Sequence, residues 1–260
     1  MSKIKYIILI VIIASIYFIL ALNLPFLSKK NKSNILLTES IVIHNSNNKW
    51  KFLTQKEIED IDFVNTYVYN YKNEFIEKVN LKYSKKWLVK KGIKYIDYNN
   101  FTFAYNGLNN AKVIPFYREE ATEEQRNILN TFMKQYKRTE LDNDFGVFAI
   151  EANIDNDIDN EIIFEVSNLS IDSPTYDNYS MIVIYDNNEY YVLDTLNVNS
   201  LQMSSLYSLM LYKIIDIDGD GICEFITIDS PYSEVSDLKY SMYQKNNDKY
   251  ELLITNREGE

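Results

Sequence analysis

One acidic segment of the chain has residue types and a spacing that suit a hard metal cation. Its sequence is Asp216-Ile217-Asp218-Gly219-Asp220-Gly221-Ile222-Cys223-Glu224, with apolar residues on both sides. Gly221 can adopt the positive φ that folds the chain back around an ion. Four carboxylates within about 4–6 Å would repel by roughly 1 kcal/mol or more per close pair, even in water. The segment therefore predicts a bound cation, and oxygen ligands favour Ca²⁺ over Zn²⁺ or Mg²⁺. The alternative is a solvated acidic turn without metal.

The flanking residues indicate a strand, a loop and a second strand. An EF-hand would begin in the same way, but its twelfth position requires a bidentate Glu, and Thr227 occupies that position here. The acid falls at the ninth position instead, and the residues from Phe225 to Ile228 favour a strand over a helix.

A second copy of the loop lies upstream, at Asn153-Ile154-Asp155-Asn156-Asp157-Ile158-Asp159-Asn160-Glu161. Ile158 stands where glycine is expected, and a β-branched residue is strained at positive φ. Sliding the frame by two places Asn160 at the turn but replaces the ninth-position acid by Ile163. In either frame we expect a weaker site. Its candidate ligands are Asn153, Asp155, Asp157, Asp159 and Glu161.

The pattern D-x-D-x-D-G-x-x-E between two apolar strands resembles the calcium loops of FG-GAP/VCBS-type repeats, the blade units of integrin-like β-propellers. The resemblance implies a Ca²⁺ site with a further ligand from the carbonyl of Ile222. The side-chain ligands that it implies are those of Asp216, Asp218, Asp220 and Glu224.

The repeat continues beyond the loops. Tyr179-Ser180-Met181 and Tyr240-Ser241-Met242 follow the two loops, and each leads to a predicted hairpin around an Asn-rich turn. This gives four strands in roughly sixty residues, close to the size of a propeller blade. Two blades cannot close a ring. Three alternatives therefore stay open: earlier strands help to cover the edges, copies of the chain associate, or the fold is a small sheet that uses the loop without the ring.

The N-terminus predicts a membrane anchor. Residues Tyr6 to Leu22 form a nearly uninterrupted apolar run after Lys3 and Lys5, which is long enough for a spanning helix. A signal peptide cleaved after Ala21 is the alternative and would give a secreted protein. Because extracellular modules bind Ca²⁺ at about 10⁻⁴–10⁻³ M, we expect a single-pass protein whose C-terminal part lies outside the cytoplasm.

Between the anchor and the repeats we predict an α+β region. Residues 41–53 indicate a hairpin that could complete the sheet of the repeats, and Thr54 to Val79 show the three- and four-residue spacing of a helix. A basic segment, Lys82 to Lys91, suits a cell-envelope polyanion or anionic lipid, or is a solvated face. Thr122-Glu123-Glu124-Gln125 predicts a capping box at the start of a second helix. The expected domains are 1–34 (anchor and linker), 35–138 (α+β, two helices) and 139–260 (antiparallel β repeats).

Charge divides the chain at the same place. Residues 1–138 carry 22 Lys and Arg against 12 Asp and Glu, whereas residues 139–260 carry 5 against 25. The acidic half argues against nucleic acid as a partner. Its single cysteine, Cys223, excludes an intramolecular disulfide, and we expect it to be a small residue that faces the core.

Catalysis has little support in the sequence. The chain has one histidine, His44, and no nucleophile elbow, P-loop or zinc spacing. A glycoside hydrolase needs a pair of carboxylates, and the best candidates are Glu151, Glu165 and Asp172. The alternative is that these three residues face solvent on strands and turns. The sequence thus favours a non-enzymatic envelope module that binds a polyanion, glycan or protein ligand, with a surface hydrolase as the alternative.

Overall fold

The computed structural model consists mostly of antiparallel β-sheet, with two helices among the residues that it describes. These residues are 34–37, 42–46, 49–59, 62–69, 75–84, 87–90, 93–94, 103–106, 111–136, 141, 146–168, 178–198, 207–231, 238–247 and 249–256. The predicted anchor, Tyr6 to Leu22, lies outside them. Neither helix in the described ranges combines the length and the apolar composition that crossing a bilayer requires.

The N-terminal part forms an eight-stranded antiparallel sheet with the order β3-β2-β1-β8-β4-β5-β6-β7. Its strands are β1 (Asn34–Leu37), β2 (Val42–Ser46), β3 (Lys49–Phe52), β4 (Asp62–Tyr69), β5 (Phe75–Ser84), β6 (Trp87–Lys90), β7 (Ile93–Lys94) and β8 (Phe103–Asn106). The pairing of β2 with β3 confirms the hairpin predicted for residues 41–53. The prediction that this hairpin completes the sheet of the repeats was wrong, because β2 and β3 belong to the eight-stranded sheet and to neither repeat sheet.

The helix predicted from Thr54 to Val79 is wrong beyond its first turn. Helix α1 (Gln55–Glu59) begins at a reciprocal cap, in which the Thr54 N–H donates to the Glu57 carboxylate at 2.9 Å, but β4 and β5 follow. These strands are rich in the β-branched and aromatic residues that favour sheets, and β4 carries irregularities in register. Those irregularities break strict alternation of apolar residues, so the spacing imitates a helix.

Each of the two repeats forms a four-stranded antiparallel meander, as predicted. The strands of the first repeat are β11 (Gly146–Ala152), β12 (Glu161–Ser167), β13 (Asn178–Asp186) and β14 (Glu189–Val198). Those of the second are β15 (Tyr207–Asp216), β16 (Glu224–Pro231), β17 (Lys239–Asn246) and β18 (Lys249–Thr255). A register shift occurs at equivalent places in both hairpins, between Ile182 and Val183 and between Met242 and Tyr243. The two repeats thus share a register shift in the hairpin as well as their order of strands.

Both hairpins turn at the Asn-rich segments that the sequence predicts. Asn187 and Asn188 have φ of 49° and 65°, and Asn247 has φ of 55°. Two central residues at positive φ give the turn whose twist matches that of the flanking strands. Asparagine tolerates this conformation better than other non-glycine residues.

Earlier strands extend one edge of each repeat sheet. β9 (Lys112–Ile114) pairs with β15, and β10 (Glu119–Glu120) pairs with β11. Of the three arrangements left open by the sequence, the structure therefore has the one in which preceding residues cover an edge. The resulting orders are β10-β11-β12-β13-β14 and β18-β17-β16-β15-β9.

The core has layers on both sides of each repeat sheet. Ile163, Ile182 and Phe225 belong to a buried cluster between the two sheets. On the other face of the first sheet, Leu129 and Met133 of helix α2 (Glu123–Tyr136) pack against alternate strand residues. On the other face of the second sheet, Ile43, Trp50 and Phe52 do the same. Helix α2 precedes residue 138, near which the net charge of the sequence changes sign, whereas the four strands of the first repeat follow it. The helix nevertheless packs on the sheet that these strands form.

The predicted capping box at the start of α2 is confirmed. The Thr122 N–H donates to Gln125 Oε1 at 2.9 Å, and the Gln125 N–H donates to Thr122 Oγ1 at 3.3 Å. We expect Thr122→Ala to lower the free energy of unfolding by about 1 kcal/mol, because the Gln125 N–H loses the hydroxyl that accepts its hydrogen bond. Urea denaturation measures this loss.

Thr131→Ala is the matched control for the cap. Thr131 lies in the same helix and is exposed, and its hydroxyl donates a hydrogen bond to the Asn127 carbonyl at 3.3 Å. Alanine is the better helix former, so this change should be neutral or slightly stabilising. Equal losses in the two variants would contradict the assigned role of the cap.

Candidate metal centre

The second acidic loop joins β15 to β16, with Asp216 at the end of one strand and Glu224 at the start of the next. Three of its carboxylates converge, with one oxygen of each within 4.8 Å of the others. They belong to Asp216, Asp218 and Asp220. Burial first, and the charges of Asp220 and Asp216 next, raise the pKa of Asp218. The loop thus concentrates negative charge where the sequence predicts a cation.

Backbone N–H groups hold these three carboxylates in place. Gly219 and Gly221 donate to the two oxygens of Asp216, at 2.6 and 3.2 Å. Oδ1 of Asp218 and Oδ1 of Asp220 each accept from the N–H two residues further on, at 3.2 and 2.8 Å. Gly221 has φ of 94°, as predicted, and Gly219 has φ of 79°. Both glycines adopt a backbone conformation that residues with a side chain rarely adopt.

Glu224 and Ile222 complete the predicted ligand set. The Glu224 carboxylate is buried and accepts a hydrogen bond from the Ile217 N–H at 2.9 Å. Burial, with a smaller contribution from the charges of Asp218 and Asp220, raises the pKa of Glu224 to about 8. The Ile222 side chain is exposed, and its N–H bonds to Asp220. Its carbonyl, and Glu224 itself, stay predicted ligands, because neither belongs to the converging group.

The first loop repeats four hydrogen bonds position for position. The donors are the backbone N–H groups of Asn156, Asp157, Asp159 and Ile154, and the acceptors are Asn153, Asp155, Asp157 and Glu161, at 2.8, 3.3, 2.8 and 2.8 Å. This is the frame that aligns Asn153 with Asp216, and not the alternative frame. Asn156 takes a positive φ of 62° at the position of Gly219. Ile158 does not adopt positive φ, so the expected strain is absent, and its side chain is 98% exposed.

A different set of carboxylates converges in the first loop. It consists of Asp155, Glu161 and Asp186, which have oxygens within 4.8 Å of one another. Burial first, and the charges of Asp155 and Asp186 next, raise the pKa of Glu161. Asp157 and Asp159 do not belong to this group, and Asn153 Nδ2 donates to the Asp157 carbonyl at 2.6 Å.

Sequence reasoning missed Asp186. This residue ends β13, just before the turn of the first hairpin, and it pairs with Glu189 in the hairpin register. The loop pattern gives no spacing rule that reaches so far along the chain. Only the pairing of β12 with β13, which sets Ile162 opposite Tyr185, shows that Asp186 lies beside the loop.

The two loops touch and join the two sheets. The Cys223 N–H donates to the Ile154 carbonyl at 2.8 Å, and a Cβ on Gly221 would lie 3.5 Å from Asn156 Cβ. Cys223 and Ile154 belong to the buried cluster between the sheets, which confirms the prediction that Cys223 faces the core. Burial, with the surrounding carboxylates, raises the pKa of its thiol to about 12, which disfavours the reactive thiolate.

Comparisons with known proteins give no relative of this chain. No family model, curated protein or solved structure matches it. The resemblance to FG-GAP/VCBS repeats therefore stays a prediction from the loop sequence and the strand pattern. The chemistry of the site rests on the geometry of the chain alone.

The carboxylates considered for hydrolysis do not form a pair in the described residues. Glu165 is buried and bonds to Arg118 through both oxygens, so the expectation that it faces solvent was wrong. Glu151 is exposed and accepts a hydrogen bond from Gln125 Nε2 at 2.9 Å. Asp172 lies outside the described residues. His44 lies in β2, where it pairs with Lys51 and Ile35.

Proposed function

We propose that this protein is a membrane-anchored, extracytoplasmic, calcium-stabilised β-repeat module of the cell envelope, with no enzymatic activity. The convergence of Asp216, Asp218 and Asp220 within 4.8 Å carries the proposal. No Lys or Arg among the described residues forms an ion pair with these aspartates or with Glu224. A cation would relieve the repulsion within this group of acids, and hard oxygen ligands suit Ca²⁺.

The hydrogen bonds of the loop leave oxygens for an ion. Asp218 and Asp220 each use Oδ1 to accept a backbone N–H, and the second oxygen of each accepts no hydrogen bond from the described part of the chain. These oxygens lie on exposed residues at the rim of the loop. An ion can therefore enter from solvent, while buried Asp216 and Glu224 connect the site to the strands.

Calcium in this position would stabilise the contact between the sheets. Cys223 directly precedes Glu224, and its N–H donates to the Ile154 carbonyl of the first loop, so ordering of one loop supports the other. The resemblance to propeller blades, the apolar run at the N-terminus and the affinity range of extracellular calcium modules support an exterior location. The chemical partners proposed for the module are an envelope polyanion, a glycan or a protein.

We expect 1 mM Ca²⁺ to raise the free energy of unfolding by about 1.4 kcal/mol, if the dissociation constant is about 0.1 mM. Asp220→Ala should remove most of this gain, because it deletes one of the three converging carboxylates. The measurement is thermal unfolding of the full chain in mild detergent, with Ca²⁺, with Mg²⁺ and with chelator. A gain that is the same with Mg²⁺ would contradict a site selective for calcium.

Asp157→Ala is the position-matched control. Asp157 occupies the place of Asp220 in the first loop, but its carboxylate does not belong to a converging group. This variant should keep the calcium response of the unchanged chain. A calcium response that survives Asp220→Ala would contradict the assignment of the second loop.

A glycan and peptide binding screen, with and without Ca²⁺, then identifies the class of ligand that the module binds.

A further inference from the structure

A lysine of the second repeat reaches the acidic loop of the first. Lys245 lies near the end of β17, and its Nζ is 3.8 Å from Asp155 Oδ2 and 3.6 Å from Asp186 Oδ2. The Lys245 side chain is 19% exposed, and Asp186 is buried. The ammonium group therefore lies between two of the three carboxylates that converge in the first loop.

We propose that the Lys245 ammonium is the built-in cation of the first loop, so that the chain takes its metal ion in the second loop only. This inference rests on the proposed calcium site and deepens it. Lysine is a compact point charge with three donors, and it can serve two carboxylates at once. At 3.6–3.8 Å it acts on them mainly through its charge.

The interior of the first loop agrees with this assignment. Asn153 replaces the first aspartate of the pattern, and its Nδ2 donates to the Asp157 carbonyl at 2.6 Å. In the second loop both oxygens of Asp216, the equivalent residue, accept backbone N–H groups instead. Carboxylates at the first, third and fifth positions converge in the second loop, whereas the first position of the first loop carries an amide and no carboxylate. In the first loop the Asn153 amide therefore makes a hydrogen bond within the loop, and the Lys245 ammonium supplies the positive charge.

The two repeats differ at the lysine itself. The register of the two hairpins makes Tyr185, which pairs with Tyr190, equivalent to Lys245, which pairs with Tyr250. Each hairpin of this kind could cover the acidic loop of the preceding repeat. The second hairpin thus places a lysine beside the acids of the first loop, and no Lys or Arg among the described residues forms an ion pair with the acids of the second loop.

Calcium bound per chain tests the assignment. Equilibrium dialysis with radioactive Ca²⁺ is applied to the full chain and to Asp220→Ala, Lys245→Met and Lys249→Met. Lys249 is the matched control, because it lies in the same hairpin but pairs with Glu251 and not with a loop. We expect one ion for the unchanged chain, none for Asp220→Ala, one for Lys249→Met and two for Lys245→Met. Two ions in the unchanged chain, or one retained by Asp220→Ala, would overturn the proposal, as would a folded Lys245→Met that still binds one.

Melting in chelator provides a second test that needs no calcium binding. Lys245→Met leaves Asp155, Glu161 and Asp186 without their counter-charge, so it should melt below Lys249→Met, and Ca²⁺ should close the gap. Equal melting of the two variants in chelator would overturn the role of Lys245. An unchanged chain that binds no Ca²⁺ would instead defeat the proposed function, and the comparison in chelator would then decide the role of the lysine alone. If Lys245→Met does not fold, the ion counts of the unchanged chain and Asp220→Ala decide.

Discussion

Replacement of Arg118 by methionine is expected to lower the free energy of unfolding by about 3 kcal/mol. The Arg118 guanidinium bonds to both oxygens of Glu165 and to the Leu211 carbonyl, the latter at 3.0 Å. Without it the buried Glu165 carboxylate loses its charged partner, which costs about 3–5 kcal/mol in buried pairs. We expect the low end of this range, because the Arg118 side chain is 34% exposed. Equilibrium unfolding in urea measures the loss.

The double variant Arg118→Met with Glu165→Met separates the cost of a stranded charge from the worth of the pair. Apolar side chains of similar volume often replace a buried ion pair with little loss, so the double variant should recover part of the stability lost in Arg118→Met. Recovery will be incomplete, because the Leu211 N–H donates to Glu165 at 2.6 Å and would lose its acceptor. A loss below about 1 kcal/mol in the single variant would mean that the pair behaves as a surface ion pair.

Local patterns in the sequence were sufficient to predict the repeats. The acidic loops, the Asn-rich turns and the capping box at Thr122 each place their signal within a few residues, and the structure has all three. Runs of apolar and β-branched residues beside the acidic loops gave strands of both meanders, and such runs occur because each of these sheets has a packed layer on both faces. The same local evidence failed for residues 62–84, where irregular pairing of β4 with β5 changed the spacing of the apolar residues.

Contacts between distant segments could not be predicted in this way. Lys245 and Asp186 reach the first loop only through hairpins whose register the sequence does not specify. Arg118 contacts Glu165 because the segment between β9 and β10 passes from one repeat sheet to the other. Short edge strands such as β9 and β10 have too few residues to show a period. The candidate site was therefore predicted as two separate loops, and its internal ion pairs were not.

Phe225→Ala is expected to lower the free energy of unfolding by about 3–5 kcal/mol. Phe225 follows Glu224 directly, is fully buried between the two repeat sheets, and packs its ring edge to face against Tyr250, with centroids 5.2 Å apart. Truncation removes the burial of a large side chain and leaves a cavity that rigid strands on both sides cannot fill. Because the cavity adjoins the second acidic loop, calcium affinity should fall together with stability.

The control for this substitution is Phe148→Ala, a change of the same size on β11, where the side chain is 42% exposed. It should cost less than about 1 kcal/mol, because little apolar surface returns to water. Cys223, two residues before Phe225, is the only cysteine and is buried, so the rate at which a thiol reagent labels it reports opening between the sheets. Phe225→Ala should accelerate this labelling strongly, whereas Phe148→Ala should leave it nearly unchanged. Similar rates in the two variants would show that the sheets open independently of the packing around Phe225.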